Sequence, residues 1–325
     1  MKLLSICIPT YNRAHFLKEA LYGLEKAIPE NNKNLFEIVI SNNCSTDQTH
    51  EVINDFIDKN PLLEINVIHQ NVNIGPKNTA VVSSYAKGEF IWIISDDDVI
   101  LQSSLKKILL ILKKAEHING IIINYAGFQS NSLMLEKPVL LKKNGILNKN
   151  MALEHLCTSI TFISALVYRR EKTHLSEKFL DNNLPHSFIF LQAIKDGKIY
   201  SCSEVLLAMR MGNSGGYDFY KVFLETFSEV LDYAKELDFN KLVVENVKRK
   251  HLRNHVTIFS IIFKSSRSYG ELKISKSSAF NLLLNYNRRD FYTKILAFYV
   301  ITPDFLSVPL NYLRLLRRKI LNINK

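Results

Sequence analysis

The sequence predicts an α/β fold through its first 215 residues, a sheet flanked by helices, followed by a mainly helical and basic region over residues 216–325. Two patterns carry this expectation. Apolar runs of strand length alternate with segments of helical period, and polar clusters close several of those runs at their carboxyl ends. Residues 3 to 8 form the first apolar run, ended by Pro9, and Ala14 to Ala27 follows at helical spacing. Phe36 to Ile40 with Thr49 to Asp58, then Leu63 to Ile68 with Lys77 to Ala86, repeat the unit. Phe90 to Ile94 runs straight into Ser95-Asp96-Asp97-Asp98. Further on, the pattern predicts a helix over Ser103 to Glu116 and a strand over Gly120 to Tyr125, then an irregular stretch to about Lys149. Next come a helix from Asn150 to Cys157, a strand from Phe162 to Arg169, a helix from Ser187 to Asp196 and a strand from Ile199 to Met209. Gly212 to Gly216 is the candidate domain boundary. Such alternation implies a parallel sheet whose ligands lie beyond the carboxyl ends of the strands.

Composition narrows the classes. A chain of 325 residues with 47% apolar and 22% charged residues is globular, not disordered, collagenous or coiled-coil. Cys7, Cys44, Cys157 and Cys202 stand far apart, so neither a zinc site nor a disulfide framework is indicated, and a reducing cytosol fits. The start of the chain lacks the pattern of a signal peptide. Lys294, Pro303, Asp304 and Pro309 break the greasiest stretch, Phe291 to Leu310, so no spanning helix is expected. The net charge of +11 is uneven: residues 241–325 carry +13 and the first 240 residues carry −2. An anionic partner is therefore expected at the tail.

Three polar clusters fall at predicted strand ends: Thr10 to Arg13, Asn42 to Asp47 and Asp96 to Asp98. In an open α/β sheet these share one rim. Three adjacent carboxylates repel one another unless a cation neutralises them, and an oxygen-rich site of this kind suits Mg²⁺ or Mn²⁺ shared with substrate phosphates. The alternative is that the aspartates only cap the helix that follows.

These residues carry a family resemblance. Ser5-Ile6-Cys7-Ile8-Pro9-Thr10-Tyr11-Asn12-Arg13, Asn42-Asn43-Cys44-Ser45-Thr46-Asp47, Asn73-Ile74-Gly75 and Gly88 to Asp98 resemble glycosyltransferase family 2, in order and at the expected separations. The resemblance covers about residues 3 to 215, and the Asn-Asn-Cys-Ser-Thr-Asp and Ser-Asp-Asp-Asp forms look most like the abequosyltransferase-type enzymes that decorate O-antigen. It implies a GT-A type, Rossmann-like mixed sheet and a nucleotide-diphosphate sugar donor.

The resemblance also implies roles. Pro9, Thr10, Tyr11 and Arg13 match the loop against the nucleotide base and ribose. Asn43 matches the second of two aspartates that contact the base in most relatives. Both are amides here, which weakens the case for uridine and leaves cytosine or thymine open. Lys77 matches a basic residue near the nucleotide. Asp96 to Asp98 match the metal motif, with Asp97 as the favoured ligand and Asp96 or Asp98 on the ribose or a metal-bound water. His186 stands where relatives place the aspartate base, with Asp181 in reserve and a mere helix-start role as the alternative for His186. Arg210, Asn213 and Ser214 match a flexible segment that folds over the diphosphate.

Together these readings predict a metal-dependent inverting glycosyltransferase that passes a sugar to a glycan or lipid-linked oligosaccharide acceptor in bacterial surface polysaccharide assembly. The basic segment Tyr312 to Leu321 has an apolar face and suggests an anionic membrane surface as a partner, placing the protein in the cytoplasm on the inner face of the membrane. Two other readings are a nucleotidyltransferase and a non-catalytic nucleic-acid-binding protein. The first lacks a Gly-rich basic signature near the N-terminus, and the acidic rim argues against the second, so no nucleic acid is expected.

Overall fold

Nine strands make one mixed sheet in a computed structural model that describes residues 2–114, 117–129, 134–140, 144–173, 179–212, 218–257, 260, 276–286 and 290–302. The strands are β1 (Leu4–Thr10), β2 (Phe36–Asn42), β3 (Ile65–His69), β4 (Phe90–Ile93), β5 (Val99–Ile100), β6 (Ile118–Phe128), β7 (Gly145–Leu147), β8 (Leu166–Arg169) and β9 (Lys198–Arg210). Their order is β3-β2-β1-β4-β8-β6-β9-β5, with β7 also on β9. β1, β2 and β4 are buried along nearly their whole length, as continuous apolar runs require.

Six helices belong to the same part of the chain: α1 (Ala14–Ala27), α2 (Thr49–Lys59), α3 (Lys77–Ser84), α4 (Ser104–Lys114), α5 (Lys149–Leu156) and α6 (Pro185–Ile194). β1 pairs in parallel with both β2 and β4. The crossovers leaving β1 for β2 and β3 therefore run one way, and the return to β4 lands on the other side. A reversal of this kind is where open α/β sheets place their ligand site, beyond the carboxyl ends of the strands, here β1 and β4.

The sheet is mixed, as the family resemblance implied and the strand–helix alternation alone did not, because β8 runs antiparallel to β4 and β6, and β5 and β7 run antiparallel to β9. Two segments depart from the sequence expectation. The segment expected to begin a strand at Phe162 forms two 3₁₀ turns, Cys157–Thr161 and Ile163–Ala165, and only Leu166–Arg169 is extended. The polar groups of Thr161 and Ser164 are engaged elsewhere, as described below. Helix α6 starts at Pro185, whose missing N–H suits a first helical position.

The chain divides into two compact units, Met1–Asn213 with Tyr233–Val244, and Ser214–Asp232 with Glu245–Lys325. Tyr233–Val244 belongs to the first unit through specific bonds. The Tyr233 hydroxyl donates to Gln192 Oε1 at 2.7 Å, and Lys149 Nζ donates to the Leu237 carbonyl at 3.0 Å. The second unit draws on α7 (Phe227–Glu236), α8 (Lys241–His251), α9 (Lys276–Tyr286) and α10 (Phe291–Ile301). Its core is aromatic and holds two histidines. The His251 ring stacks on Phe227 at 3.9 Å and its Nε2 donates to the Phe223 carbonyl at 2.6 Å, while His255 lies 4.8 Å from the Phe223 ring.

Burial lowers His251 to about 3, helped by neighbouring His255, and lowers His255 to about 4. Both imidazoles are therefore neutral in the folded protein, whereas the unfolded chain protonates them below about 6.5. Their stabilisation is complete above pH 6.5 and is lost progressively as pH falls toward 4. Each histidine should contribute a loss approaching about 1.4 kcal/mol per pH unit in that window. Urea unfolding followed between pH 7 and 5 checks this; His251→Gln should flatten the pH slope, and an unchanged slope would contradict the assignment.

Candidate active site

The three predicted clusters meet at the rim beyond β1, β2 and β4. The loop after β1 and the loop after β2 are stapled together. Asn12 N–H donates to Ser45 Oγ at 2.9 Å, Thr46 N–H donates to Asn12 Oδ1 at 2.7 Å, and Asn43 N–H donates to the Thr10 carbonyl at 2.9 Å. Asn12 and Cys44 adopt left-handed backbone conformations, with φ of 50° and 61°. Such residues are costly outside glycine and persist where surrounding bonds hold them. Asp47 joins the ends: one oxygen accepts from Ala14 N–H at the start of α1, and the other accepts from Thr49 N–H and its hydroxyl at the start of α2. Although partial burial pushes its carboxyl up, the bonds from Thr49 and Ala14 outweigh it and hold it below the usual range.

Asn43 is buried and faces the Asn73–Gly75 turn. Its Oδ1 accepts from Ile74 N–H at 2.9 Å, and its Nδ2 donates to Asn73 Oδ1 at 2.8 Å. Two positions further on, Lys77 opens α3, and its Nζ lies 3.0 Å from Asp181 Oδ1. The structure thus brings a predicted nucleotide-side cation against the reserve base, on the surface. Pro9 sits in β1 opposite Ser41, and Tyr11, at the loop tip, is 41% exposed.

The acidic loop is held from two sides. Asp96 accepts from Thr10 Oγ1 and from Arg13 Nη1, both at 2.8 Å, and Arg13 also lies 3.4 Å from Asp97 Oδ2. Burial works against the Arg13 charge, but the carboxylates of Asp96 and Asp97 prevail and raise its pKa. Asp97 Oδ1 accepts from Ser95 Oγ at 2.5 Å. Asp98 faces inward: Oδ2 accepts from Ser164 Oγ at 2.6 Å and Oδ1 from Arg210 N–H at 3.1 Å. Burial, with the Asp97 charge beside it, drives the Asp98 carboxyl well up; burial also raises Asp96, partly opposed by Arg13.

One expectation is corrected here, and another residue has an environment that the sequence did not announce. Asp98, expected at the metal, is buried with both oxygens engaged inside the protein and anchors the loop. Arg210 is the last residue of β9, not part of a flexible cover. Its Nε donates to the Asp97 carbonyl at 3.1 Å, its guanidinium pairs with Glu19, and it lies over the Phe16 and Phe128 rings at 5.0 and 4.7 Å. Asn213 and Ser214 lie outside the described residues.

His186 also differs from its expected role. It occupies the first turn of α6, 7% exposed, with Nε2 donating to the Thr161 carbonyl at 3.0 Å. Burial lowers it to about 4, so it is neutral and weakly basic at physiological pH. Next to it, Ser187 Oγ donates to the Ile160 carbonyl at 2.9 Å. These bonds fix the 3₁₀ turn Cys157–Thr161, which precedes the one that carries Ser164.

Sequence reasoning missed Ser164, Ser95 and Glu19. Ser164 accepts from Ser95 N–H at 2.9 Å, donates to Asp98, and receives Trp92 Nε1–H on its carbonyl at 2.8 Å. Nothing local marks it, because its partners lie some 70 residues away. Glu19 lies on α1 within a helical repeat that reads as solvent-facing.

The donor set can be tested against a divalent cation. Among the described residues no group of three or more His, Cys, Asp or Glu side chains is arranged to hold one alone. Asp97, with its side chain 12% exposed against 5% for Asp96, is the most open of the three carboxylates. Mg²⁺ is usually held by one or two carboxylates together with substrate phosphates and water, so the residues fit a cation shared with a diphosphate.

Comparison with known proteins agrees with the fold. The chain is 29% identical over 208 residues to an abequosyltransferase of Salmonella typhimurium, covering 58% of this chain but only 60% of that relative's length. It is 26% identical to a GalNAc(5)-diNAcBac-PP-undecaprenol beta-1,3-glucosyltransferase of Campylobacter jejuni, over 82% of this chain and 88% of that one. Its fold is similar to the crystal structure of S. aureus TarS 1-349 in complex with UDP-GlcNAc, with a TM-score of 0.64 at 19% identity over 88% of this chain and 80% of that one. The family described as Glycosyl transferase family 2 matches residues 5–171, which contain every rim loop described above, and the chain belongs to that family.

Proposed function

We propose that this glycosyltransferase catalyses an inverting, divalent-cation-dependent transfer from a nucleotide-diphosphate sugar to a hydroxyl of a glycan or lipid-linked oligosaccharide in bacterial surface polysaccharide assembly. The observation that carries the reading is the division of labour in the acidic loop: Asp98 is locked inward by Ser164 and Arg210, while Asp97 is left at the rim beside Arg13. The named relatives support the coarser part, since one is an abequosyltransferase and another, by its name, acts on an undecaprenol-linked glycan. Family membership displaces the nucleotidyltransferase and non-catalytic readings.

Mg²⁺ or Mn²⁺ bound at Asp97 would act as a Lewis acid on the departing diphosphate. Thr10 and Arg13 hold Asp96 in place at the donor side, Tyr11 offers a ring face to the nucleotide, and Lys77 supplies a cation near it. In a single displacement the acceptor oxygen bonds to the anomeric carbon, the bond to the diphosphate breaks, and the acceptor proton passes to a base. Asp181 suits that role better than His186, because its side chain is 74% exposed at the rim and His186 is enclosed with lowered basicity. His186 then serves as a positioning residue through Thr161. The basic C-terminal region is read as meeting an anionic membrane, where a lipid-linked acceptor would be held; among the described residues no helix is long and apolar enough to cross one.

Three outcomes test this. Excess EDTA, or Asp97→Ala, should lower sugar transfer by roughly 10²-fold or more through lost charge stabilisation of the leaving diphosphate. Full turnover without a divalent cation would overturn the metal assignment. Asp181→Asn should lower turnover by roughly 10² to 10⁴-fold with nucleotide binding retained, whereas His186→Gln should act mainly on stability; the reverse result, read by turnover and nucleotide titration, returns the base to His186. Ser164→Ala removes a buried bond to a carboxylate and should cost about 1.5–3 kcal/mol in urea unfolding.

A further inference from the structure

Helix α10 is apolar on two sides. One side is accounted for: Thr293, Leu296, Ala297, Tyr299 and Val300 are buried, and α9 packs against the helix. The other side is not. Phe291 is 74% exposed and Phe298 60%, with Ile295 and Ile301 also exposed. At 100° per residue, residues 291, 295, 298 and 301 fall within one stripe about 120° wide, and exposed Lys294 lies in the same stripe. A soluble helix ordinarily turns its polar residues outward, so a face with this composition calls for an occupant.

Charge identifies the occupant's chemistry. Among the described residues on α10 and beside its first turn the cations are Lys294 and Arg253. The acid there is Asp290, whose carboxylate caps α10 by accepting from Tyr292 N–H at 3.3 Å. Arg253 lies beside the first turn of α10, over the Tyr292 ring at 5.8 Å. An apolar stripe with Lys294 inside it and Arg253 beside its first turn complements a surface that is greasy below and anionic above. A second copy of this helix is a poorer match, because isologous pairing would press two Lys294 side chains together.

We propose that the exposed face of α10 lies in the plane of an anionic bilayer, with Phe291, Ile295, Phe298 and Ile301 among the acyl chains and Lys294 and Arg253 at the lipid phosphates. The helix is about 16 Å long, too short to span but suited to lie at the interface. This inference rests on the reading above that the C-terminal region works at a membrane, and it names the element that enters.

The test uses the full chain with phosphatidylcholine vesicles, with and without phosphatidylglycerol. Phe298→Trp places a reporter on the stripe against the constant signal of Trp92, which is buried in the first unit. Its emission should move to the blue with anionic vesicles and be quenched by brominated acyl chains. The double variant Phe291→Ser and Phe298→Ser should bind those vesicles roughly tenfold or more weakly, since two rings no longer enter the acyl region. Its circular dichroism and nucleotide binding should match those of the parent chain, which separates lost docking from lost folding. Parent-like vesicle binding by the double variant, with no spectral shift for Phe298→Trp, would overturn the role of α10 while leaving the membrane reading intact. Failure of the parent chain to bind anionic vesicles would overturn both. A self-association abolished by the double variant, without vesicle binding, would assign the face to a second copy instead.

Discussion

Three consecutive carboxylates at the end of a buried strand are the constraint around which the first unit is arranged. Left alone, Asp96, Asp97 and Asp98 would repel one another and resist burial, and the raised carboxyls of Asp96 and Asp98 record that tension. The fold answers by giving each aspartate a different environment. Asp96 receives Thr10 and Arg13 from the loop after β1, and Asp98 receives Ser164 and the backbone of Arg210. Asp97, between them, is kept at the rim by its neighbours' bonds and by Ser95. Removing a donor from a buried carboxylate costs more than an ordinary hydrogen bond, so these partners set the geometry of the loop as well as its stability.

The same partners explain why the antiparallel half of the sheet matters to a site on the parallel half. Ser164 comes from the 3₁₀ turn preceding β8, which Trp92 pins directly, while His186 and Ser187 pin the turn before it. Arg210 arrives from the far end of β9 and wedges its guanidinium between the Asp97 carbonyl, Glu19 and two aromatic rings. Strands distant in sequence thus meet at one loop, and the loop inherits their rigidity.

Local signals in the sequence were sufficient wherever the structure is itself local. Helix α1 occupies the predicted Ala14–Ala27, and the parallel strands begin within two residues of the apolar runs that announce them, because burial and period are properties of short windows. The run from Phe162 to Arg169 misled for the opposite reason: its apolar residues read as a strand, but the demands of Asp98 and Ser95 on Ser164, and of His186 on Thr161, bend its first half into turns. The environments of His186 and Arg210 were not legible, since burial depends on contacts that no short window contains. The exposed stripe on α10 was hidden too, because its helix is apolar all round and only packing shows which side is covered.

The two amides that replace acidic residues in the loop after β2 acquire a structural reason. Asn73 Oδ1 accepts from Gly75 N–H at 2.8 Å, which fixes that atom as an oxygen, and Asn43 Oδ1 accepts from Ile74 N–H, which fixes the Asn43 nitrogen on the other side. The 2.8 Å contact between them is then necessarily an N–H donated by Asn43. A carboxylate at residue 43 could still accept from Ile74, but it would meet the Asn73 oxygen with no proton to offer. Asn42 is engaged in the same way, its Oδ1 accepting from Ser45 N–H at 3.0 Å. In this chain residues 42 and 43 shape the loops around the nucleotide site. On the reading proposed above, discrimination of the base falls to what those loops present, the backbone groups and the exposed ring of Tyr11, more than to a charged side chain reaching for one edge of a pyrimidine.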